Sequence, residues 1–245
     1  ISYDSGWLAL DGAGDATWDS SAAPNGEDGV YTVNIRVNDS ATIPNLADPV
    51  GDEGSFTLTD TTGPVVLSTT STATGDPDAG TLITIQTNLD DWSGIAGGEY
   101  RIQGPTTYDS GWLALNATLG IDWDSSVATG GEEGTYTINI RATDASAGSN
   151  VGDPVGDEDT FTLTDNTGPS IVVDSVTATG DPEAGDLITI QTTLTDWAGV
   201  ASGQYLITGP VSYSSGWLAL DGAGDGVWDS SVIPAGEEGV YTVNI

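Results

Sequence analysis

The segment YDSGWLALDGAGDATWDSS at Tyr3 returns as YDSGWLALNATLGIDWDSS at Tyr108 and as YSSGWLALDGAGDGVWDSS at Tyr213. The register between copies is 105 residues, with no insertion. GDPDAGTLITIQTNLDDWSGIAGG at Gly75 matches GDPEAGDLITIQTTLTDWAGVASG at Gly180, and FTLTDTTGP at Phe56 matches FTLTDNTGP at Phe161, in the same register. A fixed period of this kind defines the architecture before any local pattern does. One period is a normal size for an independently cored domain. The Gly-Pro exit sets the phase: 64–168 is a complete copy, 1–63 the latter part of one, and 169–245 the earlier part of another. The expectation is a window on a longer array, because both ends fall inside a copy and no initiator Met or leader opens the chain.

The apolar period inside a copy is two. Tyr31, Val33, Ile35 and Val37 alternate with polar neighbours, as do Ile83, Ile85 and Leu89. Such runs, rich in β-branched and aromatic residues and punctuated by Gly, Asn, Asp and Pro, read as half-buried antiparallel strands. The complete copy predicts strands near 65–73, 82–89, 99–103, 111–115, 121–127, 135–142 and 160–164. Seven short strands in about 100 residues make an aligned β-sandwich. The expected fold class is all-β: tandem immunoglobulin-like sandwiches of about 105 residues.

GVWDSSVIPAGEEGVYTVNI, continued through ATD to TFTLTDNTGP, resembles bacterial immunoglobulin-like repeats of the Big and cadherin-like kind found in microbial surface fibrils and adhesins. Glu27, Gly29 and Tyr31 have the spacing of an immunoglobulin tyrosine corner, repeated at Glu132, Gly134, Tyr136 and at Glu237, Gly239, Tyr241. Val33, Ile138 and Val243 stand where that fold places its second Cys, so packing must replace the disulfide. The resemblance implies a spacer or stalk module rather than a catalyst.

Composition narrows function further. There are 37 acidic residues against three basic ones, all Arg, and a formal net charge of −34. Nucleic acid and anionic membranes both require a basic surface, so neither is an expected partner. The chain has no Cys, His, Lys or Met, which removes thiolate, imidazole and Schiff-base chemistry. Only a carboxylate pair remains for catalysis, and among so many acids a close pair is uninformative; the expectation is no enzyme. No apolar run is long enough to span a bilayer.

The acids at copy boundaries are the sharpest candidates. In an immunoglobulin sandwich the loops after strands B and F lie at the end where the chain enters. Asp91 and Asp144 end those strands, and Asp60 sits in the incoming linker; at the next boundary Asp165 and Asp196 take the same places. Carboxylates converging without basic partners repel one another unless a cation joins them, and Asp oxygens suit Ca2+. The alternatives are a solvated acidic linker and a halophilic surface, which the sequence leaves open.

Three weaker signals remain. Asn38 and Asn116 begin N-x-Ser/Thr sequons and are glycosylation acceptors in a secreted chain. DGAGD at Asp11 and Asp221 reads as a tight turn, since NATLG replaces it in the middle copy. Trp7, Trp112 and Trp217 could stack sugars or pack under neighbouring structure. The reading is therefore an extracellular or cell-surface structural repeat. Its partners are further copies of itself in a linear or helical polymer, with glycans as a second class; a Trp-based carbohydrate-binding module is the alternative.

Overall fold

A computed structural model of the chain describes residues 3–24, 26–48, 51, 53–128, 131–153, 156 and 158–245. The fold is all-β. It separates into two compact units, one of residues 1–73, 83–123 and 135–161, the other of residues 74–82, 124–134 and 162–245. Among the described residues no helix is long and apolar enough to cross a membrane.

In the first copy, β1 (Gly29–Val33) is followed by β2 (Val37–Asn38), which pairs with β3 (Leu46–Ala47). Then β4 (Gly54–Leu58) returns antiparallel to β1 and sets Tyr31 opposite Phe56. The middle copy contains β5 (Val65–Ser71), β6 (Thr74–Gly75), β7 (Leu82–Asp90), β8 (Ile95–Gln103), β9 (Leu113–Ala114), β10 (Gly120–Asp124), β11 (Gly134–Asp144), β12 (Val151–Gly152) and β13 (Asp159–Leu163). These form one sheet in the order β10-β7-β5 and a second in the order β6-β13-β11-β8-β9, with β12 on β11. The third copy repeats the plan with β14 (Ser170–Val176), β15 (Leu187–Thr195), β16 (Gln204–Thr208), β17 (Ser214–Ala219), β18 (Gly226–Asp229) and β19 (Thr242–Asn244), in sheets β14-β15-β18 and β17-β16-β19.

The period-two pattern explains which faces are buried. On β7, Ile83, Ile85, Thr87 and Leu89 point inward while their neighbours are exposed. On β11, Tyr136, Ile138, Ile140, Ala142 and Asp144 point inward and most of their neighbours are half-buried. Each fully buried aliphatic side chain contributes about 1.5–3 kcal/mol relative to exposure. Ile138 is fully buried at the place of the missing Cys, so packing holds that position in the middle copy, whereas Val33 is exposed and Val243 half-buried. Aromatic rings tie the two sheets together. Trp123 on β10 lies 5.6 Å from Phe161 on β13, and Phe161 stacks on Tyr136 of β11 at 5.4 Å and 14°. Tyr108 completes the cluster at 5.8 Å from Trp123. Tyr3, Trp18, Tyr31 and Phe56 repeat it in the first copy. In the third copy, the core is Ile190, Tyr205, Ile207, Leu220 and Trp228.

The tyrosine corner is present: the hydroxyls of Tyr31 and Tyr241 donate to the carbonyls of Glu27 and Glu237 at 2.7 and 2.6 Å. Tyr136, at the same place, is fully buried.

Three strands depart from expectation, the first being the one expected over 111–115, which is only the two-residue Leu113–Ala114. The strand expected over 121–127 ends at Asp124, and Ser125–Val127 form a 3-10 turn. The Asp124 carboxylate accepts the Ser126 N–H at 2.9 Å and caps that turn, as Asp19 and Asp229 do in the other copies. The strand expected over 99–103 begins earlier, at Ile95, because Gly97 and Gly98 extend it instead of breaking it. A Cβ at Gly98 would lie 2.9 Å from Leu115 Cδ1, so glycine there allows close packing.

Candidate metal centre

Three short Asp-x-Ser/Thr segments end strands or leave them: Asp60-Thr61-Thr62, Asp91-Trp92-Ser93 and Asp144-Ala145-Ser146. In each, Oδ1 of the Asp accepts both the N–H and the hydroxyl two residues on, a local turn that orients the carboxylate. The distances are 3.0 and 3.0 Å at Thr62, 2.9 and 2.7 Å at Ser93, and 3.3 and 2.9 Å at Ser146. The acids converge: one carboxylate oxygen from each of Asp60, Asp91 and Asp144 lies within 4.8 Å of the other two. The loops expected to meet the linker do so.

The setting is unusual for carboxylates. Asp60 is 8% exposed and Asp144 only 1% exposed. Asp60 Oδ2 is buried and makes no hydrogen bond. The Thr62 N–H holds the Asp60 carboxyl below the usual carboxylate range; burial opposes this, and the neighbouring Ser93 and the Thr62 hydroxyl reinforce it. For Asp144, burial pushes the carboxyl upward, but donors from Asn150 and Ser146 outweigh it and the net direction is down. Both are thus held in the charged form. Like charges at such separations repel several times more strongly near a protein interior than in water.

Among the described residues, no cation relieves them. Arg101 pairs with Asp109, whose carboxyl it holds at about 2, and Arg141 pairs with Glu99 at 2.6 Å. Arg36 lies over the Trp7 ring at 4.0 Å. Among the described residues, no ion pair reaches the cluster. Three hard oxygen donors, one buried without a partner, fit a divalent cation of the Ca2+ class and do not fit a soft metal.

The second boundary gathers Asp165 and Asp196, and adds Asp78, which sequence reasoning missed. Asp78 lies between β6 and β7, outside the loops expected to carry ligands, although an acid recurs at the matching Glu183. This cluster is less buried: Asp78 is exposed and the other two are half-buried. Burial first, then the charges of Asp165, Asp196 and Asp76, push the Asp78 carboxyl up. Asp165 Oδ1 accepts the Thr167 N–H at 3.0 Å.

A tryptophan adjoins each cluster. Trp92 Nε1 donates to the Ala23 carbonyl at 3.1 Å, and Trp197 Nε1 donates to the Ala128 carbonyl. Each bond crosses a copy boundary onto the residue that closes a 3-10 turn. Gly131, at φ +67°, approaches so closely that a Cβ would sit 3.1 Å from Ala198 Cα. This third tryptophan set had no assigned role in the sequence, and its signal was its position directly after Asp91 and Asp196.

The remaining candidates separate cleanly. Asp11 and Asp221 each accept backbone N–H groups from their own loops at 2.8 and 2.9 Å, which is tight-turn geometry. Asn116 makes the same turn with Oδ1, accepting from Thr118 and Gly120 N–H groups. Asn38 ends β2 and is exposed. Arg141 lies 4.3 Å over the Trp112 ring, while Trp7 and Trp217 are 51% and 55% exposed.

No protein-family model matches the sequence, and no curated protein matches it. Among the solved structures to which the chain is similar are the following three. A biofilm-associated protein (BSP domain) gives 18% identity and a TM-score of 0.28, over 67% of this chain and 24% of that one. A tetra-tandem repeat from the extending region of a large adhesion protein gives 16% and 0.35, over 89% and 56%. A Ca2+-stabilized adhesin that helps an Antarctic bacterium reach out and bind ice gives 16% and 0.27, over 86% and 54%. The chain therefore spans between a quarter and just over half of these proteins. Likeness at this level does not transfer a function from one chain to another.

Proposed function

We propose that this chain is a non-catalytic structural repeat of an extracellular microbial fibril, stalk or adhesin, whose copy boundaries are stiffened by Ca2+. The carrying observation is the buried, unpartnered Asp60 Oδ2 beside Asp91 and Asp144. One cation is held by Asp60, Asp91 and Asp144, and a second by Asp165 and Asp196 with Asp78. The net charge of −34 keeps such a polymer soluble and discourages lateral association. Extracellular modules of this class bind Ca2+ at about 0.1–1 mM. Neighbouring copies are the expected partners, and Asn38 and Asn116 are exposed acceptors for N-linked sugar.

Terbium titration tests the metal reading, since Trp92 and Trp197 directly follow Asp91 and Asp196 and can sensitise a bound lanthanide. The expected result is saturable emission that excess Ca2+ abolishes and that Asp60→Asn together with Asp165→Asn removes. Emission unaffected by the double substitution would contradict it.

The exposure of Trp7 and Trp217 supports a second reading, a carbohydrate-binding module. Retention of the chain on immobilised polysaccharides, lost on Trp217→Ala, would favour that reading over a purely structural one.

A further inference from the structure

Within the reading of the first boundary as a cation site, we propose that Asn150 is a further ligand whose amide nitrogen takes the cation's place when the site is empty. Asn150 Nδ2 donates to Asp144 Oδ2 at 2.8 Å, to the Asp60 main-chain carbonyl at 3.1 Å and to Ser146 Oγ at 3.2 Å. Carboxylate and carbonyl oxygens only accept hydrogen bonds, so the atom facing them must be nitrogen. One neutral amide thus draws together oxygens from the linker and from the loop after β11, as a cation would. Its reach stops short of Asp60 Oδ2, which remains buried without a partner. That orphan is what an amide with two protons leaves over and a cation with six to eight ligands would satisfy.

When a cation enters, the same chemistry reverses the amide. Nitrogen facing the ion would be repelled, and a half-turn of the terminal group presents Oδ1 instead. Asp60 Oδ2, the Asp60 carbonyl, Asp91, Asp144 and Asn150 Oδ1 then supply five oxygens, all hard.

The first copy isolates the local part of this device. Asn45 stands at the matching position, and its Nδ2 donates to Asp39 Oδ2 at 2.7 Å while its N–H donates to Asp39 Oδ1 at 2.9 Å. Asn150 makes the same pair of bonds to Asp144, the second at 2.8 Å. The Asn–Asp clasp is therefore built by the loop itself. What Asn150 adds is the bond to the Asp60 carbonyl, ninety residues away.

Asn150→Asp separates the two roles from a merely structural one, with Asn45→Asp as control. The substitution removes the donor that steadies the empty site and adds a carboxylate to the filled one, and both changes favour the ion. Calorimetric Ca2+ titration of the whole chain should show one of two sites tightened about tenfold or more, following the dependence of affinity on ligand charge. In chelator, Asn150→Asp should melt earlier than the native chain, whereas Asn45→Asp, which breaks only the local clasp to Asp39, should leave both Ca2+ sites unchanged. In the native chain, the side-chain amide signals of Asn150 should shift on addition of Ca2+. Normal Ca2+ binding with an unchanged site in Asn150→Asp would overturn the role of Asn150 alone. Absence of Ca2+ binding in the native chain would overturn the cation site itself, and this inference with it.

Discussion

Replacing Trp197 by Phe keeps an aromatic ring in place and deletes one donor, the indole N–H that meets the Ala128 carbonyl. Ala128 is fully buried, so water does not readily replace the lost bond. An acceptor left unsatisfied in such a place costs about 1–3 kcal/mol. Spread over the equilibrium between closed and locally opened contact, that is roughly a 5- to 150-fold rise in opening. Hydrogen exchange read by mass spectrometry resolves such a change. Peptides covering Asp124–Gly134 and Thr195–Gly199 should lose protection by one to two orders of magnitude, while the β11 core around Ile138 and Ile140 keeps its own. Unchanged protection at Ala128 and Ala198 would show that the tryptophan bond does not hold this contact, and the reasoning would fail.

Tyr136→Phe should lower the stability of the whole chain by about 1–3 kcal/mol, since it strips the hydroxyl from a buried corner position; an unchanged melting midpoint would refute the corner. Acid should weaken the fold in a defined direction. Asp60 and Asp144 are held below their ordinary values, so they stabilise fully above about pH 4, and that contribution is lost as pH falls through their lowered folded-state values. Denaturant titrations from pH 6 to pH 2 should show this, with Asp144→Asn flattening the profile. Gly152→Ala should unfold or displace the β12 region, because its Cβ would lie 1.8 Å from the Pro64 carbonyl oxygen. Gly12→Ala meets nothing within 4 Å and should be neutral or stabilising by about 0.4–1 kcal/mol, as thermal melts of the pair would show.

Much of this was legible in the sequence because period and alternation are local or strictly repeated. The 105-residue register located equivalent acids, and alternation on LITIQTNL located its inward face, whereas of the alternating residues at 31–37 only Tyr31 is buried and Val33, Ile35 and Val37 are exposed. The convergence of Asp60, Asp91 and Asp144 followed from sandwich topology, which assigns loops to ends. What topology did not convey was contact across the boundary from the preceding copy. Asp78 and the Ala128 carbonyl both lie on that side, and nothing in a local pattern distinguishes them from solvated loop. Asn150 was silent for another reason: a single amide six residues after an acid has no periodic signature, and its bond to Asp60 spans ninety residues. The 3-10 turn at Ser125–Val127 was hidden by the apolar Val127, although Asp124 ahead of Ser126 was the capping signal.

Small-angle scattering from the chain, recorded in millimolar Ca2+ and again in excess chelator, tests the central claim most directly. If the boundary acids hold a cation, chelation should loosen the chain and broaden its distance distribution while circular dichroism reports the same strand content. If the distance distribution and flexibility are identical in both solutions, Asp60, Asp91 and Asp144 do not clamp the boundary through a cation and Ca2+ does not stiffen this protein.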